Sequence, residues 1–206
     1  HRDLHSFPTR RSSDLIPPSL LADAPTWAHN RAVCRAAQGL QHWAWWRLPE
    51  PPPRRTALND MLDLAAPCHD DATSRRNLSL IPEAHLHRLQ QSSLPAVPGY
   101  KRTRQGRQVL ELRFDDVAGC LRTPAGGSSR QMLVVRRNDA WRTRILTPRE
   151  AARLMGAPDA FRLPGTNSDG YKAMGDAVAI PAAAHLAEHL LVKLAQACMG
   201  RETDHP

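Results

Sequence analysis

Proline constrains this chain more than any other residue, and it is unevenly spread. Eleven of the eighteen prolines fall within residues 16–100, including Pro17-Pro18 and the run Pro51-Pro52-Pro53. Each fixes φ and removes a backbone donor, so long regular elements are not expected there. Short helices fit between the breaks, around residues 30–40 and around residues 56–64, where Leu58, Met61 and Leu62 share a face. Trp43, Trp45 and Trp46 precede the triple proline and read as packing residues, with base stacking as the alternative.

The character changes after residue 100. Leu110, Leu112 and Phe114 alternate with Glu111 and Arg113, the pattern of a half-buried strand, and residues 132–135 form a short continuous apolar strand. Between them lies CLRTPAGGSSRQ, residues 120–131. Gly126 and Gly127 let the backbone approach a partner closely, and Ser128, Ser129, Arg130 and Gln131 offer hydrogen-bonding groups suited to phosphates or base edges. A hairpin turn is the alternative use of the paired glycines.

The last third is more regular. Thr147-Pro148-Arg149-Glu150 is a helix start, with threonine as N-cap, proline at the first helical position and glutamate closing a capping box. That helix runs through Ala151, Leu154 and Met155 and stops at Gly156. Residues 175–180 read as a turn into a short apolar segment, and Pro181 opens a helix to about Cys198 with Leu186, Leu190 and Leu194 on one stripe.

Composition bounds the partners. A chain of 206 residues with 41% hydrophobic content can bury a core. No uninterrupted apolar run approaches the roughly 20 residues of a membrane span, so no membrane partner is expected and a cytoplasmic location is. The four cysteines contain no CxxC pair and point to reduced thiols without a metal. The formal charge is +8, and residues 101–150 alone carry +7. A concentration of that size in one segment suits a polyanion, although a solvated basic face has the same composition.

Two motifs carry a resemblance. RILTPREAARLMGAPDAF, residues 144–161, resembles the ninth motif of the DNA cytosine-5 methyltransferases, and YKAMGDAVAIP, residues 171–181, resembles the tenth. The resemblance implies an α+β chain: a small, loop-rich target-recognition domain over residues 16–165, then a carboxy-terminal segment, residues 166–200, of a Rossmann-like catalytic domain, and a tail at 201–206. It implies double-stranded DNA as partner and S-adenosylmethionine as cofactor of the whole enzyme. Arg122, Thr123, Gly126, Gly127, Ser128, Ser129, Arg130 and Gln131 match the recognition loop and become the candidates for DNA contact. Asp176, Ala177 and Val178 match the segment that closes one side of the cofactor pocket. The family usually has asparagine where Asp176 stands, which removes an amide donor. Arg144, Thr147, Arg149 and Glu150 are expected to act as scaffold.

The sequence contains no FxGxG cofactor loop, no Pro-Cys-Gln nucleophile segment, no Glu-Asn-Val and no QxRxR. A chain without them is expected to be catalytically inactive alone and to rely on a missing amino-terminal catalytic domain. Pro67-Cys68-His69 imitates the nucleophile pair but lacks its flanks, so a plain thiol is the expected state of Cys68. Cys68, His69, His85 and His87 lack metal-site spacing. Residues 1–15 resemble a translated sequencing adapter and are set aside, with the expectation that the frame enters a truncated gene. The alternatives are a stand-alone DNA-binding half of a split methyltransferase and a non-catalytic interaction remnant.

Overall fold

The computed structural model describes residues 17–23, 32, 35–36, 38–39, 44–123 and 130–202. Most of the helix expected around residues 30–40, together with Trp43, lies outside the described residues. The chain forms two compact units, residues 53–181 and residues 1–52 with 182–206.

In the unit of residues 53–181, three short helices, α1 (Leu58–Met61), α2 (Asp71–Leu78) and α3 (Glu83–Gln91), precede strands β1 (Ala96–Arg104), β2 (Arg107–Leu112), β3 (Met132–Arg137) and β4 (Ala140–Ile145). Helices α4 (Pro148–Leu154) and α5 (Asn167–Asp176) follow. The strands make one sheet in the order β2-β1-β3-β4, with every pair antiparallel. The mixture of helices with an antiparallel sheet agrees with the α+β expectation.

Turn chemistry places the hairpins. Gln105 and Gly106 have φ of 49° and 76°, and Asn138 and Asp139 have φ of 46° and 61°. Positive φ at both central residues of a two-residue loop gives turns whose twist matches the strands they join. The strand anticipated through Phe114 ends at Leu112, and Phe114 packs instead at the edge of the core beyond it. Strand β1 contains Pro98 although it is central. It pairs with β3 over residues 96–99 and with β2 only from Gly99 onward, so the missing donor falls where β2 has already ended. The Pro98 carbonyl still accepts from Arg113 N at 2.9 Å.

Strand alternation sorts the sheet into two faces. Ala96, Leu133 and Val135 point to one face, where they pack with Leu58 and Leu62 below and with Leu146, Ala151, Ala152 and Met174 from the α4–α5 side. Val97, Leu110, Leu112, Met132 and Val134 point to the other and pack with Ile81 and Leu89 from the α2–α3 side. Neither cluster reaches the distal halves of β1 and β2. On the first face those halves carry Arg102, Arg104, Arg107 and Glu111, with Arg113 next in the alternation, and this end of the sheet is open.

In the other unit, Leu20 is buried, and Leu21 and Trp46 form a bridge supported by Ala22 N to Trp45 O (2.9 Å) and Arg47 N to Leu20 O (2.8 Å). The helix expected after Pro181 is present as α6 (Ile180–Leu186), a π turn (Ala187–Leu191) and α7 (Val192–Glu202). Its covered stripe is not the one anticipated. Leu190 is buried and Leu194 half-buried, but Leu186 is exposed, because the π turn shifts the register of the face. Among the described residues one stretch, Asn167–Ala197, is long and apolar enough by length and composition to cross a membrane. Its helix is broken at residues 177–179, which leaves backbone groups a bilayer could not satisfy.

Candidate nucleic-acid interface

The ninth-motif residues form a buried frame. Helix α4 starts at Thr147, whose hydroxyl accepts from Glu150 N at 3.2 Å, while the Glu150 carboxylate returns to accept from Thr147 N at 2.7 Å. The same carboxylate takes Arg144 Nη2 at 2.6 Å, Arg144 Nη1 at 2.8 Å and Asp63 N at 2.8 Å. Arg144 Nη2 also donates to Asp63 O at 3.0 Å. Arg144 is 2% exposed and Glu150 fully buried. Burial alone pushes the Glu150 carboxyl up, but the Arg144 hydrogen bonds, the backbone donors and the guanidinium charge outweigh it and hold the group below its ordinary value. One side chain from β4, one from α4 and the backbone after α1 are thus locked together. This is a scaffold, as the capping box suggested.

Above the frame, the open end of the sheet borders a cleft of about 410 Å³. Tyr100, Arg102, Glu111 and Arg113 line it from the sheet, and Cys120 and Arg122 from the segment that crosses it. The Tyr100 hydroxyl donates to Cys120 O at 2.6 Å and lies 3.3 Å from Gln131 Oε1, tying that segment to the sheet. Burial, with the neighbouring Cys120, pushes the Tyr100 hydroxyl up to about 12 against the pull of Arg122 and Arg102, so it stays a donor. Arg102 and Arg104 share one carboxylate, Glu111, at 3.1 and 2.5 Å, and Arg113 pairs with Asp115 at 2.7 Å. These pairs are exposed and exchange readily with water and ions. Arg122 is exposed and has no ion-pair partner among the described residues. Cation therefore exceeds anion on this face, and its charges are free to meet a polyanion.

The recognition-loop candidates divide sharply. Gly126, Gly127, Ser128 and Ser129 lie outside the described residues. Arg122 lies at the cleft, and Thr123 and Arg130 are half-buried on helix α5. The Thr123 hydroxyl donates to Asp176 Oδ1. A Cβ on Gly175 would sit 2.3 Å from Thr123 N and 2.6 Å from Arg122 C, so only glycine permits this approach. The Arg130 guanidinium lies over the Tyr171 ring, 4.9 Å from its centroid. The Tyr171 hydroxyl donates to Leu146 O. Gln131 is 3% exposed and faces inward, because its neighbours on β3 alternate into the cores. Tyr100, Arg102, Arg113 and Tyr171 were not singled out in the sequence. Strand pairing brings Tyr100, Arg102 and Arg113 to this end of the sheet, and the docking of α5 brings Tyr171 to Arg130.

Of the cofactor candidates, Ala177 lines a cavity of about 470 Å³ together with Arg54, Thr56, Asp116 and Met174. The Asp176 carboxylate is taken by Thr123, Ala177 follows the end of α5, and Val178 is 71% exposed. Cys68 is half-buried against the first core, His69 Nδ1 meets the Thr143 hydroxyl at 3.0 Å, and His85 Nδ1 accepts from Leu112 N at 2.9 Å. Those side chains serve separate parts of the fold.

Comparison with known proteins places the chain in a family. The model of the C-5 cytosine-specific DNA methylase family matches residues 47–191. The chain is similar to the DNA (cytosine-5)-methyltransferase CMT2 of Oryza sativa subsp. japonica, 33% identical over 113 residues, which are 55% of this chain and 8% of the relative. It is similar to the Type II methyltransferase M1.ScrFI of Lactococcus lactis subsp. cremoris, 46% identical over 48 residues, 23% of this chain and 12% of the relative. A DNA-cytosine methyltransferase of Escherichia coli (strain K12) is 41% identical over 71 residues, 32% of this chain and 15% of the relative. The chain thus spans only a small part of the length of the curated relatives it matches. With the family model covering well over half of the residues, the chain belongs to the C-5 cytosine-specific DNA methylase family.

Proposed function

We propose that this chain supplies the target-recognition part of an enzyme that transfers methyl from S-adenosylmethionine to carbon 5 of cytosine in a specific duplex DNA sequence. It acts in the cytoplasm, on DNA, with a catalytic domain that brings the cofactor loop and the nucleophilic cysteine. Alone it has no methyltransferase activity. The observation that carries the reading is the open end of the sheet, where Arg102, Arg104, Arg107, Arg113 and Arg122 face solvent against only Glu111 and Asp115. Exposed arginines of this kind neutralise phosphates and fix register, and the adjoining loop then meets base edges in the major groove. The division of labour suits the chemistry: cytosine must leave the stack before its ring carbon is accessible, so one surface must hold the duplex while another receives the base.

The test is a titration of the full chain with a fluorescent duplex at several salt concentrations. Binding should weaken linearly on a log–log plot, with a slope of about −0.9 for each phosphate neutralised. No binding at low salt, or binding without salt dependence, overturns the reading.

A further inference from the structure

The two flanks of the recognition loop end on the same helix. At one flank the Thr123 hydroxyl donates to Asp176 Oδ1, and the backbone of residues 122–123 rests directly on Gly175. At the other, the Arg130 guanidinium stacks on Tyr171. Tyr171 and Gly175 are four residues apart on α5, so they occupy the same face one turn from each other. Helix α5 is itself fixed: Thr166 caps it by accepting from Asp169 N at 3.2 Å, the Tyr171 hydroxyl reaches Leu146 O, and Met174 enters the first core.

We propose that α5 is a positioning element for DNA discrimination, with Thr123 and Asp176 as a latch whose acceptor is the Asp176 carboxylate. The inference rests on the DNA-recognition reading above and adds the device that holds its loop. Fixing residues 122–123 and Arg130 on one rigid helix sets the positions of both flanks before DNA arrives. Flanks placed in advance spend less of the contact energy on ordering when DNA arrives, and the saving appears in discrimination between sequences. The non-specific phosphate attraction comes from other residues and is untouched. Asp176 thereby has a structural use as a hydrogen-bond acceptor from Thr123. Gly175 is needed for contact, since any side chain there meets the Thr123 backbone.

The experiment uses the full chain. A preferred duplex is selected from a randomised pool with the wild type, and affinities for it and for a scrambled duplex are compared with those of Thr123→Val, Thr123→Ser, Asp176→Ala and the Thr123→Val/Asp176→Ala double variant. Thr123→Val should lower the preferred-to-scrambled ratio about tenfold while leaving the salt slope unchanged, in line with losing one well-placed contact. Asp176→Ala should match it, the double variant should be no worse than either single, and Thr123→Ser should keep the wild-type ratio. In the free chain, amide exchange at Leu121, Arg122 and Thr123 should quicken in Thr123→Val and Asp176→Ala but not at Leu133 in the sheet. Equal loss for both duplexes in Thr123→Val, with Asp176→Ala silent, means the hydroxyl touches DNA itself and overturns the latch. Unchanged exchange at the flank overturns it as well. If the wild type selects no duplex, the recognition reading fails, and the exchange measurement alone then decides whether α5 clamps the flanks.

Discussion

Arginine does opposite work in two regions of this unit. Arg144 is buried against Glu150, with both oxygens of the carboxylate and the Asp63 backbone fully engaged. Arg102, Arg104 and Arg113 sit on the open end of the sheet in exposed pairs, and Arg122 stands beside them. The side chain is the same; the surroundings decide its role. A buried, bidentate pair is costly to break because the survivor is left charged in a desolvated site. An exposed pair is worth little to the fold, so its arginine can be surrendered to an incoming phosphate.

That contrast is breakable at its strongest point first. Replacing Glu150 with alanine should destabilise the chain by about 3–5 kcal/mol, measured by urea unfolding, since Arg144 loses its partner inside the protein. A loss below about 1 kcal/mol would mean the pair is not what fixes α4 to β4. Acid should probe the same site. Because the folded Glu150 pKa lies below the ordinary value, its stabilisation is complete above the unfolded pKa, about 4.3, and fades as pH falls through the lowered folded value. The pH dependence of stability should therefore flatten on its acid side in Glu150→Gln; an unchanged acid limb contradicts the assignment. Next comes Thr147→Ala, which removes the helix cap and should cost about 1 kcal/mol in the same unfolding experiment. Smallest is Arg104→Ala on the open face, where thermal unfolding should show no resolvable change, although affinity for duplex DNA should fall.

The two regions also differ in how far the sequence disclosed them. The frame around α4 was legible because its signal is local: Thr147, Pro148 and Glu150 announce a capped start, and Gly156, at φ +83°, ends it as expected. Strand β4 was not, because Trp141, Arg142 and Arg144 look like a charged surface until Asp71 and Glu150 are brought to them. Strand β1 was hidden by Pro98, which only its position beyond the end of β2 makes tolerable. Helices α2 and α3 lie in the proline-rich stretch where long regular elements were not expected, yet Asp70 accepts from Thr73 N and caps α2 within that region. At the candidate interface, Arg122 was singled out from the loop it precedes, whereas Arg102, Arg113 and Tyr100, which line the same cleft, needed the sheet register.

The most direct measurement is the salt dependence of duplex binding for Arg102→Ala/Arg113→Ala/Arg122→Ala beside the wild type, with unfolding followed in parallel. If the open face holds the DNA backbone, the log–log slope should shrink in magnitude by about 2–3 while the unfolding midpoint stays in place. A slope equal to that of the wild type would show that the exposed arginines do not touch phosphate and that the face lies away from the duplex.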